Sequence, residues 1–246
     1  MSVDSASAPK PDNVFFSCEN LEAYYGDSYI VQGISFYVNE GEIVALLGRN
    51  GAGKTSTLRA IARTDEPEVR SGQLWLNGES VHDKKAFQAS GMGIQLVPED
   101  RRIISGLTVE ENLDLAQIDG RSGWSYEQIF ELFPRLKERR RQEGTTLSGG
   151  EQQMLAIGRA LSRDIKLLLL DEPYEGLAPV VRHDIERALT KVKASGITTI
   201  LVEQNAVAAL KLADSAIILD TGVVAFKGTA QEVLDNEELR HEYLAI

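Results

Sequence analysis

A chain of 246 residues that is 43% hydrophobic, with a formal net charge of -11, can bury a full core as one large domain or as a main domain carrying a smaller lobe. The acidic balance argues against nucleic acid as the main partner, because binding a phosphate backbone needs a basic face. The single cysteine, Cys18, excludes an internal disulfide, fits a reducing compartment and reads as a small packing residue, and no apolar run approaches the ~18 residues needed to cross a bilayer.

Residues 1–13 are rich in Ser, Ala, Pro and Asp and hold no apolar leader segment, so they read as a flexible tail and the protein is expected to stay in the cytosol. Residues 14–246 are expected to form a single domain. Up to about residue 80 the chain reads as mostly strand with glycine turns such as Asn77-Gly78; Ser35–Val38, Ile43–Leu47 and Leu74–Leu76 are the clearest runs. The second of these runs directly into Gly48-Arg49-Asn50-Gly51-Ala52-Gly53-Lys54-Thr55, followed by Ser56, which matches a phosphate-binding loop in both spelling and setting. Glycines let backbone N–H groups close around phosphates, and a helix starting near Gly53 would point its positive end at them. Lys54 would place its ammonium on the β- and γ-phosphates, and the Thr55 hydroxyl would be a ligand of the Mg²⁺ bridging them.

Ile94–Val97 is a further strand, after which residues 108–161 read as almost entirely helix, a lobe inserted over about residues 100–161 between the phosphate loop and the next core strand. Helix starts carry capping boxes: Thr108 with Glu111, Ser125 with Gln128, Ser148 with Glu151 and Thr229 with Glu232. Arg139-Arg140-Arg141 reads as a solvated helix face rather than a nucleic-acid patch. Strands follow at Leu167–Leu170, Thr198–Val202 and Ala216–Leu219, with a C-terminal helix from Thr229 to Ile246. Strands alternating with helices predict an α/β fold with a largely parallel sheet covered on both faces. The strand at Leu167–Leu170 ends in Asp171-Glu172. Neighbouring side chains on a strand point to opposite faces, so Asp171 can hold Mg²⁺, directly or through water, while Glu172 polarises the attacking water.

Leu147-Ser148-Gly149-Gly150-Glu151-Gln152-Gln153, a short helix upstream of that strand, makes the chain similar to the ATP-binding-cassette (ABC) ATPases. By itself this is a capped helix N-terminus whose open N–H groups suit a γ-phosphate. The resemblance, running from about Tyr25 to Gln204, implies a P-loop ATPase core with an N-terminal antiparallel β region and an inserted helical subdomain. It also implies a head-to-tail dimer in which Ser148, Gly149, Gly150 and Glu151 contact the ATP of the opposite subunit. Tyr25 falls where the family stacks an aromatic on adenine, with Tyr24 the nearby competitor.

Three positions depart from the family pattern: Glu99 stands where a Mg²⁺-sensing Gln is usual, Ala178 where an Asp usually closes the turn after the catalytic strand, and Gln204 where a switch histidine is usual. Together they resemble the second ATPase of branched-chain amino acid importers, with relatives serving urea, amides or aromatic acids sharing the look. That resemblance implies ATP and Mg²⁺ as cofactors, two transmembrane permease subunits, a second and different cassette ATPase, and indirectly an extracytoplasmic solute-binding protein. The chain would then sit peripherally on the cytoplasmic face of the inner membrane. A groove near Glu99, Arg101, Arg102 and residues 103–116 would either seat a permease helix or be a solvated loop. The alternatives are a cassette ATPase of a cytosolic assembly machine and a nucleotide-gated module with little hydrolysis.

Overall fold

The computed structural model describes residues 14–117 and 123–244, so the expected tail at 1–13 and the last two residues of the expected C-terminal helix lie outside it. In chain order the strands are β1 (Val14–Tyr25), β2 (Ser28–Asn39), β3 (Ile43–Leu47), β4 (Glu68–Leu76), β5 (Glu79–Ser80), β6 (Ile94–Val97), β7 (Leu167–Asp171), β8 (Thr198–Val202), β9 (Ser215–Asp220) and β10 (Val223–Thr229). The α-helices are α1 (Lys54–Ile61), α2 (Ala86–Gly91), α3 (Val109–Asp114), α4 (Tyr126–Leu132), α5 (Pro134–Glu138), α6 (Gly149–Leu161), α7 (Pro179–Ala194), α8 (Ala206–Leu212), α9 (Ala230–Asp235) and α10 (Glu237–Leu244).

Two sheets result. An antiparallel sheet has the order β2-β1-β4-β5, and a second sheet has the order β10-β9-β3-β8-β7-β6, parallel throughout except for the β9–β10 hairpin. Every residue of β3, β7 and β8 is buried, as expected for strands covered on both faces. Their period of two divides the core. Ala45, Leu47, Leu168 and Leu170 pack with α6 and α7, whereas Val44, Leu46, Leu167 and Leu169 pack with α1 and the antiparallel sheet through Leu58, Ile61, Phe16 and Leu21. The largely parallel sheet with an antiparallel N-terminal region follows the sequence reading. Cys18 is a packing residue whose thiol donates to the Ile34 carbonyl, and burial pushes it up to about 12.

Between β6 and β7 the chain leaves the sheet for the helical lobe. All four expected capping boxes form, each Ser or Thr side chain accepting from the N–H three residues on. The expectation of almost continuous helix over 108–161 does not hold: α3, α4 and α5 are five to seven residues long. Pro134 has no N–H to continue α4, so it starts α5 at its first position. The basic run is not a helix face either, because α5 ends at Glu138. Arg139 instead pairs with the buried Glu151 of α6 at 2.7 Å, and Arg140 with Glu110 at 3.7 Å. The C-terminal helix is likewise two helices, broken at Asn236, whose side chain caps the second.

The loop entering the lobe is tied down by Asn112, which is fully buried on α3. Its Oδ1 accepts from the Ile104 N–H at 3.1 Å, and its Nδ2 donates to the carbonyls of Leu107 and Thr108 at 3.2 and 3.0 Å. Among the described residues no helix is long and apolar enough to cross a membrane. Asn112→Leu, close in volume but without polar atoms, removes these bonds and takes the partner from the Ile104 N–H, while the Leu107 and Thr108 carbonyls keep the N–H groups of Gly144 and residue 112. The variant should lose about 1–3 kcal/mol of stability, read as a lowered denaturation midpoint, whereas Asn112→Asp, which keeps the acceptor, should lose less.

Candidate nucleotide site

The phosphate loop lies where β3 ends and α1 begins. Gly48 has φ +142°, and a Cβ there would stand 2.3 Å from the Leu219 carbonyl oxygen, so the strand end admits only glycine. Gly53 caps α1 in the left-handed region at φ +97°, and Gly51 is also left-handed, at φ +81°. Arg49, Asn50 and Gly51 are exposed and Ala52 is buried. Lys54 is mostly buried, and its Nζ donates to the carbonyls of Gly48 and Arg49 at 2.9 and 3.1 Å. Burial lowers its pKa, opposed by the charges of Glu172 and Asp171. Ser56 sits half-buried on α1.

The two carboxylates part where β7 ends, Asp171 being its last residue and Glu172 the first of the turn. Asp171 is buried and accepts from Thr55 Oγ1 at 2.9 Å; burial raises its pKa, with the Thr55 hydrogen bond and the charge of Arg59 acting against it. Glu172 turns out of the strand at φ +50°, with its N–H on the Val202 carbonyl at 2.9 Å. A left-handed glutamate is a strained residue, and such strain collects at functional sites. Its carboxylate accepts from Gln204 Nε2 at 2.7 Å. Burial and the neighbouring Glu175 push its pKa up to about 7, with Gln204 pulling the other way.

Glu99 is exposed on the loop after β6, and its charge is felt by Asp171. Tyr24 and Tyr25 occupy different settings. The Tyr24 ring stacks on Tyr29 at 4.5 Å, with the Arg70 guanidinium 4.3 Å from its centroid, whereas half-buried Tyr25 accepts a 3.4 Å bond from Arg59 of α1. The structure therefore gathers Lys54, Thr55, Asp171, Glu172 and Gln204. Ser148 is not joined to them: among the described residues its hydrogen bonds run to Glu151, and none reaches Gly48–Ser56. Glu151 is held below its usual carboxylate range: burial opposes this, but hydrogen bonds from Ser148 and the Arg139 charge outweigh it. Gly150 faces α7 so closely that a Cβ would stand 2.3 Å from Val181 Cγ1.

Three polar residues have contacts that the sequence does not reveal. Glu175 accepts from Gln204 Nε2 at 3.0 Å; Arg101 reaches Gln153 on α6 at 3.1 Å; and Glu203 is buried behind the switch, accepting from the Tyr174 N–H at 2.8 Å. An acid directly after an apolar strand, as in Val202-Glu203, was the available signal for the last.

Fold and site together define a P-loop ATPase with a helical lobe inserted in the sheet domain. The ABC transporter family profile matches residues 31–175, and the chain belongs to that family. It is 42% identical over 231 residues to the high-affinity branched-chain amino acid transport ATP-binding protein BraG of Pseudomonas aeruginosa, covering 93% of this chain and 98% of that one. It is 35% identical to the probable branched-chain amino acid transport ATP-binding protein LivF of Archaeoglobus fulgidus, covering 89% and 93%. Identity to the lipopolysaccharide export system ATP-binding protein LptB of Haemophilus influenzae is 32%, covering 93% and 96%. Among solved structures, an ATP-binding subunit of an ABC transporter superposes with a TM-score of 0.77 at 29% identity, covering 94% of this chain and 96% of that one. The chain is thus an ATP-binding, ATP-hydrolysing subunit of an ABC transporter, a class that works with membrane permease partners.

Burial lifts the Glu203 carboxyl from 4.5 to about 7, against the pull of hydrogen bonds from Tyr174, Gln204 and Asn205 N–H groups and the Arg182 charge. A carboxyl raised on folding destabilises the folded chain once ionised: the loss is absent below the unfolded pKa, grows as pH rises, and is complete above about 7. Glu203→Gln keeps an acceptor oxygen and removes the charge. Its Tm should match that of the parent near pH 4 and exceed it increasingly up to pH 8, by roughly 2–4 °C per kcal/mol relieved in a domain of this size.

Proposed function

We propose that this chain energises an importer of branched-chain amino acids. The observation that carries this reading is the likeness to BraG along 98% of that protein's length at 42% identity, against 32% to LptB. Residues 14–246 act as one ATPase domain. The two-sided catalytic geometry supports the chemistry: Gly48, Asn50, Gly51, Ala52, Gly53 and Ser56 line or flank the phosphate cradle, and Lys54 moves its ammonium from the Gly48 and Arg49 carbonyls onto the β- and γ-phosphates. Tyr25 stacks on adenine, since Tyr24 already has Tyr29 and Arg70 against its ring.

The oxygen donors that meet at the loop suit a hard cation: Thr55 Oγ1 and Asp171 Oδ1 are 2.9 Å apart, with Glu99 on the neighbouring loop. No group of three or more His, Cys, Asp or Glu among the described residues is placed to hold a metal ion, so Thr55, Asp171 and Glu99 would share Mg²⁺ with phosphate oxygens and water. When bound, Mg²⁺ neutralises charge on the phosphates. Glu172 is the general base that orients the attacking water, and Gln204 holds Glu172 while contacting the γ-phosphate. Because Gln204 carries no charge, it orients rather than neutralises.

Ser148, Gly149, Gly150 and Glu151 complete the site of an opposing cassette, a different chain in our reading, so that ATP closes a head-to-tail heterodimer and hydrolysis reopens it. A full swing of population needs ATP to favour the closed state by about 5.5 kcal/mol. The permease pair docks in a cleft of about 480 Å³ lined by Pro98, Arg101, Arg102, Ile104 and Leu115, the region anticipated from the sequence. Phe87, 72% exposed on α2, stands beside its wall residue Ala86. Partners so arranged place the chain at the cytoplasmic face of the inner membrane, with a solute-binding protein on the other side.

Purification from native membranes in mild detergent tests the assignment. Two multi-span proteins, a second cassette ATPase and a linked amino-acid-binding protein are expected, whereas an export assembly without a binding protein, or cytosolic partners only, would overturn it. In the assembled complex, Glu172→Gln should cut ATP turnover on the order of 10²–10⁴-fold while ATP still binds, and Lys54→Ala should lose binding as well. Normal turnover by Glu172→Gln would remove Glu172 as the base.

A further inference from the structure

Gln204 has one amide nitrogen, and that nitrogen serves two carboxylates, Glu172 Oε2 at 2.7 Å and Glu175 Oε2 at 3.0 Å. A primary amide has two N–H bonds, so both are used. The reverse orientation would set the amide oxygen against two carboxylates, and the pair of acids therefore fixes which way the Gln204 side chain faces. Remove the second acid and the amide is held at one point only, free to rotate about its bond to Glu172.

Glu175 is itself anchored. It lies in the turn between β7 and α7, with its N–H on the Glu172 carbonyl at 3.1 Å. Its own carbonyl accepts from Arg101 Nη2 at 3.5 Å, a long contact, while Arg101 Nε donates to Gln153 Oε1 on α6 at 3.1 Å. The Arg101 guanidinium also covers Gly149, with Nη1 3.3 Å from the position of a Cβ there. Arg101 and Arg102 are both left-handed, at φ +60° and +46°. Arg159 of α6 bonds the Arg102 carbonyl at 2.5 Å, which holds that backbone in place. One continuous chain of contacts thus joins the start of α6, the loop after β6, the turn after β7 and the switch.

We infer that Glu175 is a positioning residue for hydrolysis: its carboxylate fixes Gln204, and through Gln204 the orientation of Glu172, while its backbone links that arrangement to Arg101 and the helical lobe. The inference rests on the reading of Glu172 as general base. The uncharged switch residue is held here by two acceptors on one amide nitrogen, of which Glu175 is the second.

The test uses the assembled complex and compares Glu175→Ala with Glu175→Gln, alone and combined with Glu172→Gln. Glu175→Ala should lower kcat for ATP by about tenfold to a hundredfold, the scale of a misplaced catalytic group, with KM for ATP changed less than about twofold. Glu175→Gln retains an acceptor oxygen and should recover most of the rate. Because Glu175 acts through Glu172, adding Glu175→Ala to Glu172→Gln should cause little further loss; independent sites would multiply their losses. A normal kcat for Glu175→Ala, with Glu172→Gln slow, overturns the positioning role alone. Multiplied losses, or a KM change with kcat intact, overturn it too. Normal turnover by Glu172→Gln removes the base, and the inference falls with it.

Discussion

The register of three parallel strands governs everything at this site. Leu46 of β3 lies opposite Val202 of β8, which lies opposite Asp171 of β7, so the three strands end in one row at one edge of the sheet. The residues that follow that row are Gly48 and the phosphate loop, Glu172, and Glu203-Gln204. Both faces of these strands are buried, and a slip of one residue would exchange the two apolar sets, putting each against the wrong core and spoiling the packing of both. Core packing therefore sets catalytic geometry. The Thr55–Asp171 hydrogen bond, spanning 116 positions of sequence, is the direct expression of that register.

The same edge holds an unusual concentration of acids. Asp171, Glu172, Glu175 and Glu203 stand within a few residues of the strand ends, and two of them, Glu172 and Glu203, are pushed up to about 7 by burial. Lys54 is the cation buried among them, and backbone carbonyls hold its ammonium. Such a cluster is costly in a resting protein, and a nucleotide with its cation would rearrange it by drawing Lys54 toward phosphate and leaving Gln204 to order the acids. The far end of the machinery, Ser148 on α6, is built separately, with Glu151 and Arg139 clamping the helix start. Among the described residues no hydrogen bond of Ser148 reaches Gly48–Ser56.

Much of this was legible in the sequence because it depends on local rules. The phosphate loop needs glycines at left-handed positions, capping boxes are read from residues three apart, and buried parallel strands appear as short apolar runs. β1 and β10 were not singled out, since β1 mixes Asn, Glu and Ser with apolar residues and β10 alternates exposed and half-buried positions. The lobe reads as continuous helix in sequence because its capping signals mark starts, while stops such as Pro134 lie within apolar stretches. The contacts of Glu175 and Arg101 are hidden for another reason: their partners lie on other elements, and only the folded chain brings Glu175 to Gln204 or Arg101 to Gln153. Arg139 was misread for the same cause, its partner Glu151 being 12 positions away beyond a turn.

In the proposed function this chain carries two half-sites that work only when opposed to another cassette around ATP. Sedimentation velocity on the Glu172→Gln chain, alone and mixed with the cassette that co-purifies with it, tests this most directly. Saturating Mg²⁺ and ATP should convert the mixture to a two-cassette species, and removing nucleotide should return it to single chains. A mixture that binds ATP and still sediments as single chains would contradict it.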